Sequence, residues 1–99
     1  MSDYDEYKRK HRRLAILRHL AEIEEYTGNV AILQDVLAGV GLASTRSQIV
    51  TELAWLKEQG FLTYDPQQDF IVATATVRGV EIARGVATHP DIQRPSPRR

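Results

Sequence analysis

The sequence predicts a small α+β domain, with three helices, a two-stranded β-hairpin and a short fourth helix. Three observations predict it. Apolar residues recur at helical spacing up to Gln59, the period breaks at Gly60, and a strand-like pattern runs from Phe61 to Ala75. Ninety-nine residues make one domain, and a domain of that size buries only roughly two-thirds of its unfolded surface. That is room for one core, and little for a deep catalytic cleft.

The first helix is expected over residues 3–26. Leu14, Leu17 and Ala21 form one apolar stripe, and Ile16, Leu20 and Ile23 form a second. The two together are wider than the stripe of an ordinary surface helix. One stripe is therefore assigned to the domain's own core and the other to a second copy of the chain. Gly28 is expected to take the positive φ that ends the helix. Asn29 caps a second helix from Val30 to about Val40, with Gly39 and Gly41 marking its end. Thr45, with Gln48 three residues on, forms a capping box for a third helix that runs to Gln59. Ile49, Leu53 and Leu56 point inward from it, and the short turn before it suits a helix-turn-helix unit.

Phe61–Tyr64 and Phe70–Ala75 read as paired strands around a polar turn at 65–69. Thr76 caps the fourth helix, Val77 to about Ala87, which Gly79 and Gly85 weaken by about 1 kcal/mol each relative to Ala. From Thr88 onward, prolines and arginines outnumber the single Ile92, so 88–99 is expected to be a flexible or extended tail on a domain spanning 1–87. Three helices followed by a hairpin is the element order of a winged helix-turn-helix.

Composition excludes several classes. With no cysteine there are no disulfides or thiolate metal sites, and a reducing cytoplasm is the expected location. His11, His19 and His89 are scattered, so no metal or cofactor is expected. No apolar run is long enough for a membrane span, and the first residues are too polar for a signal peptide. No phosphate loop, nucleophile elbow or paired metal ligands occur, so the chain is not expected to be an enzyme. The formal net charge is zero, but it is unevenly distributed: residues 1–13 and 88–99 are each +2, and 14–87 is −4. A nucleic-acid binder with this distribution works through local patches and not through a global field.

The segments Arg12-Arg13-Leu14-Ala15-Ile16-Leu17-Arg18 and Glu52-Leu53-Ala54-Trp55-Leu56-Lys57-Glu58-Gln59-Gly60-Phe61-Leu62, with Arg94-Pro95-Ser96-Pro97, resemble a family of small proteins carried by Mu-like phages and prophages. That family is loosely labelled ArsR-like. The resemblance spans most of the chain and implies a winged-helix fold in a bacterial cytoplasm. It implies no settled function, because the regulator label rests on fold. Metal sensing, which the label also suggests, conflicts with the absence of cysteine, since soft metals need soft ligands.

The third helix is the candidate recognition helix. Arg46 and Gln48 suit guanine and adenine edges, and Ser47 and Thr51 suit phosphates. Glu52 and Glu58 oppose that use. The basic run from Lys8 to Arg13 offers Lys8, Arg12 and Arg13 to the backbone, after Arg9 and Lys10 pair with Asp5 and Glu6 within the helix. Trp55 lies off the inward stripe. It either packs beneath the wing or the first helix, or joins Ile16, Leu20 and Ile23 in a protein interface. The tail arginines Arg94, Arg98 and Arg99 suit either a phosphate-contacting arm or a protein-docking peptide. The expected function is a phage or prophage DNA-binding protein, dimeric, acting in transcription or packaging. The alternative is a module that uses the same fold to bind another phage protein.

Overall fold

The helical period of the first third of the chain ends at Glu22, four residues earlier than its apolar pattern suggests. In the computed structural model, which describes residues 3–96, α1 spans Asp3–Glu22. A 3-10 turn, Glu24–Tyr26, follows, and there Glu25 (φ 59°) and Tyr26 (φ 54°) reverse the chain through left-handed conformations. Gly28 does not end the helix. It lies in β1 (Thr27–Asn29), where a Cβ would stand 3.1 Å from both Leu20 Cδ2 and Ile23 Cδ1. Its missing side chain lets the strand lie against the end of α1.

The remaining starts follow from their caps. The Asn29 side chain accepts from Ile32 N (2.9 Å) and opens α2, Val30–Gly39. Thr45 Oγ1 accepts from Gln48 N (3.0 Å) while Gln48 Oε1 accepts from Thr45 N (2.9 Å), the reciprocal bonds that open α3, Arg46–Glu58. Gly60, at φ 84°, turns the chain into β2, Leu62–Thr63. The returning strand β3 is Val72–Ala75, and the hairpin is shorter than its apolar residues suggest because Phe70 stays 66% exposed. In the turn, Asp65 accepts from Gln67 N (2.9 Å) and the Gln68 side chain (3.3 Å), which holds its carboxyl below the ordinary carboxylate range. The three strands form an antiparallel sheet in the order β1-β3-β2, with Thr27 and Thr63 on either side of Thr74.

Thr76 caps α4 (Val77–Ala83): its hydroxyl accepts from Gly79 N and donates to the Gly60 carbonyl at 2.7 Å. The helix stops before Ala87 because Gly85 turns at φ 78°. The result is an α+β arrangement of four helices and one small sheet around a single core.

Two expectations are corrected by the packing. Ile16 and Leu20, assigned to a partner, are both 0% exposed within one chain, and Ile23 and Trp55 are half-buried against the same core. Helix α1 needs both stripes because it packs against α2, α3 and α4. Ile16→Val is therefore expected to cost about 0.5–1.5 kcal/mol, with a Tm that does not depend on protein concentration. A Tm that rises with concentration would restore the dimer.

The tail is the second correction. Over 88–96 it packs on the domain: Ile92 is 4% exposed, Gln93 N donates to Lys10 O (3.2 Å), and His89 sets its ring edge-on between Trp55 and Phe61. A segment poor in apolar residues can dock when its one isoleucine and one histidine each find a slot. Arg98 and Arg99 lie outside the described residues.

Candidate nucleic-acid interface

The outward face of α3 carries Ser47, Thr51, Ala54 and Glu58, all exposed, with Arg46 and Gln48 in the first turn. Helical phase dictates this, since the opposite stripe of Ile49, Leu53 and Leu56 is wholly buried. Thr51 Oγ1 donates to the Ser47 carbonyl (2.9 Å), so its oxygen remains an acceptor and its proton is engaged. Arg46 reaches across to the hairpin, where Nη2 donates to Asp69 O at 3.1 Å. Gln48 commits its carbonyl oxygen to the cap, leaving the amide NH2 outward. These bonds lie at the surface, where water or a ligand can exchange for them at little cost.

Beneath this face sits an ion cluster. Glu52, 3% exposed at its side chain, meets Arg13 Nε at 2.8 Å and both Arg9 Nε and Arg12 Nη1 at 3.5 Å. Arg12 Nε also donates to Ser44 Oγ (2.7 Å), and Arg13 Nη1 to Asp91 O (3.0 Å). The Arg13 guanidinium lies 3.8 Å from the centre of the Trp55 ring, which His89 also meets edge-on. Trp55 is thus a packing residue held between α1 and the tail.

The sequence offers Arg12 and Arg13 to phosphates; instead they are 7% and 8% exposed and committed to Glu52. The reason is helical phase. Residues 9, 12, 13, 16 and 20 share one side of α1, the side that Ile16 and Leu20 turn into the core. Arg9 likewise pairs with Glu52, and not only within its own helix. Glu52 is no surface charge repelling phosphates. Its position four residues before Leu56, on the flank of the inward stripe, is the signal in the sequence that it is buried.

The cluster still shapes the surface. Three guanidiniums share the Glu52 carboxylate, with Asp5 in the adjoining recess, so among these residues the arginines outnumber the carboxylates. Asp5, Lys8, Arg9, Arg12 and Gln48 line a common recess. Of the predicted site residues, the structure brings Lys8, Arg46, Ser47, Gln48 and Thr51 to this side as accessible groups. The hairpin turn carries Asp65 and Asp69 and no Lys or Arg.

Sequence comparisons add a phage connection. The chain is 38% identical over 87 residues to gp26, an uncharacterized protein of Escherichia phage Mu, covering 88% of this chain and 90% of that protein. It is 40% identical over 67 residues to an uncharacterized protein of Haemophilus influenzae, covering 67% of this chain and 65% of that one. No family model and no solved structure matches the chain. Among the described residues no helix is long and apolar enough to cross a membrane.

Proposed function

Because the chain belongs to the family of the phage Mu protein gp26, we propose that it is a winged-helix protein of phage or prophage origin that binds duplex DNA, in transcription or in packaging. One observation carries this reading. The capped start of α3, with Arg46, Ser47, Gln48 and Thr51 exposed, adjoins a cluster in which three arginines share one carboxylate. The element order, with a hairpin directly after α3, supports the same reading. In this mechanism α3 enters the major groove by its N-terminal turns, Arg46 and Gln48 meet base edges, and Lys8 meets the backbone. Arg9 and Arg12 act by their field from behind, as far as Debye screening allows.

Arg46→Ala is expected to cost about 1–3 kcal/mol on a cognate duplex and to relax base preference there. Lys8→Gln should weaken binding to all sequences alike and lower the salt slope by about one. The measurement is fluorescence anisotropy on pooled duplexes at two salt concentrations, for the parent and both variants. A parent with no affinity tighter than about 10⁻⁴ M at low salt ends the DNA reading.

A second reading, a module that docks another phage protein, is favoured by the hairpin. Phe70 is 66% exposed beside Asp65 and Asp69, an apolar anchor in an acidic setting that repels phosphates. Absent duplex binding, with a defined complex lost on Phe70→Ser, is its signature.

A further inference from the structure

Eight arginines lie within the described residues, and five of them have protein partners: Arg9, Arg12, Arg13, Arg46 and Arg78. For the other three, Arg18, Arg84 and Arg94, the side chain has no ion pair or hydrogen bond among the described residues, and all three line one cleft of about 550 Å³. They arrive from three different parts of the fold. Arg18 comes from α1, Arg84 is the C-cap of α4, and Arg94 belongs to the docked tail. The tail is held close at this point, since a Cβ at Gly85 would stand 3.1 Å from Pro95 Cγ. Glu22 is the one carboxylate lining the cleft, and Ser96 adds a hydroxyl. Among the described residues lining the cleft, positive charges outnumber the one carboxylate by two.

We propose that this cleft binds a dianionic phosphoryl group on a small phosphorylated ligand. Guanidinium forks match phosphate oxygens bidentately and bring more donors than a carboxylate partner could use. The cleft volume lies within the range of small-ligand sites, roughly 300–1,000 Å³. It is distinct from the face at α3, because Arg18 lies roughly 120–180° around α1 from Arg9, Arg12 and Arg13. The two sites can therefore fail separately.

The probe is inorganic pyrophosphate, titrated into the full chain and followed by amide chemical shifts and calorimetry. Saturable binding is expected, with shifts centred on residues 83–85 and 94–96. Arg84→Gln and Arg94→Gln should each weaken it at least about tenfold, the equivalent of one charge-assisted hydrogen bond. Lys8→Gln, on the other face, should leave it unchanged. Arg84 and Arg94 are exposed and Lys8 is half-buried, and an unchanged melting curve shows that the variants fold. Gly85→Ala, which pushes on Pro95 without removing charge, should weaken binding as well. Non-saturable shifts, shifts reproduced by chloride at equal ionic strength, or equal loss in Lys8→Gln would overturn the proposal. A duplex arm separates the phosphate sources. If Arg84→Gln abolishes duplex binding, the cleft tracks a nucleic-acid backbone and the small-ligand assignment is wrong.

Discussion

Glu52→Ala is expected to cost about 3–5 kcal/mol of folding stability, the usual penalty for stranding a buried charge. Arg9, with 37% of its side chain exposed, can swing into water once the carboxylate is gone. Arg12 and Arg13, at 8% and 10%, cannot leave without unpacking Ser44, Trp55 and Asp91. For a domain of this length the loss corresponds to a Tm lowered by more than about 12 °C. Added salt should not restore it, because buried pairs are screened far less than surface ones. Replacing the buried members of the group, with Glu52→Leu, Arg12→Met and Arg13→Met together, should recover most of the stability, since an apolar substitute of similar volume removes the desolvation cost on both sides. Thermal denaturation of the two variants decides the matter. If Glu52→Ala loses under about 1 kcal/mol, the cluster behaves as an exposed pair.

The second large effect is expected at Gly79, where two physical arguments predict opposite signs. Gly79 lies inside α4, and helix propensity alone says that Gly79→Ala should stabilise by about 1 kcal/mol. Packing says otherwise. A Cβ at that position would overlap the Phe61 carbonyl oxygen and crowd Leu17 Cδ2 at 3.3 Å. The Phe61 carbonyl cannot retreat freely, because it accepts from Thr76 N at 3.0 Å. The overlap is with backbone, so the strand start or the helix must move, and a loss of about 3 kcal/mol is expected, at the upper end for overpacking. Urea denaturation of Gly79→Ala reads the sign directly. A variant more stable than the parent would show that α4 can slide away from β2 at no cost.

The crowding at Gly79 is not a local property of the chain, and locality decides what its residues make legible. The helix starts are legible because a cap is a local device: Asn29, Thr45 and Thr76 each accept the backbone N–H three residues on. The hairpin is legible from the change of period at Gly60. The end of α1 is not, because it depends on left-handed backbone at Glu25 and Tyr26, residue types that carry no sign of it. Nor is β1, since Thr27–Asn29 is too short for alternation to register and exists only through pairing with β3. At the candidate site, the exposure of Ser47, Thr51 and Glu58 follows from phase alone. The same phase argument, applied to charged residues, places Arg13 and Glu52 inside. Charge taken as a sign of exposure conceals that, and the docked tail is concealed for a related reason: composition averages away single residues such as Ile92.

The bond from Arg13 to Asp91 spans 78 residues, and it bears on how the chain folds during synthesis. Helices α1 to α3 can form local contacts as soon as they leave the ribosome, whereas the slot beside Trp55 stays open until His89 and the residues after it are made. Closing so long a loop carries an entropic cost that grows only slowly with length, but it is a non-local step of the kind that slows folding. Until it is taken, the nascent chain exposes one face of its tryptophan and the seat of Ile92 to solvent and to chaperones. Hydrogen-exchange labelling of stalled nascent chains should therefore find the α1–α3 helical core protected before residue 89 emerges, and the Gln93 amide, which donates to Lys10 O, protected only once the segment after His89 has docked.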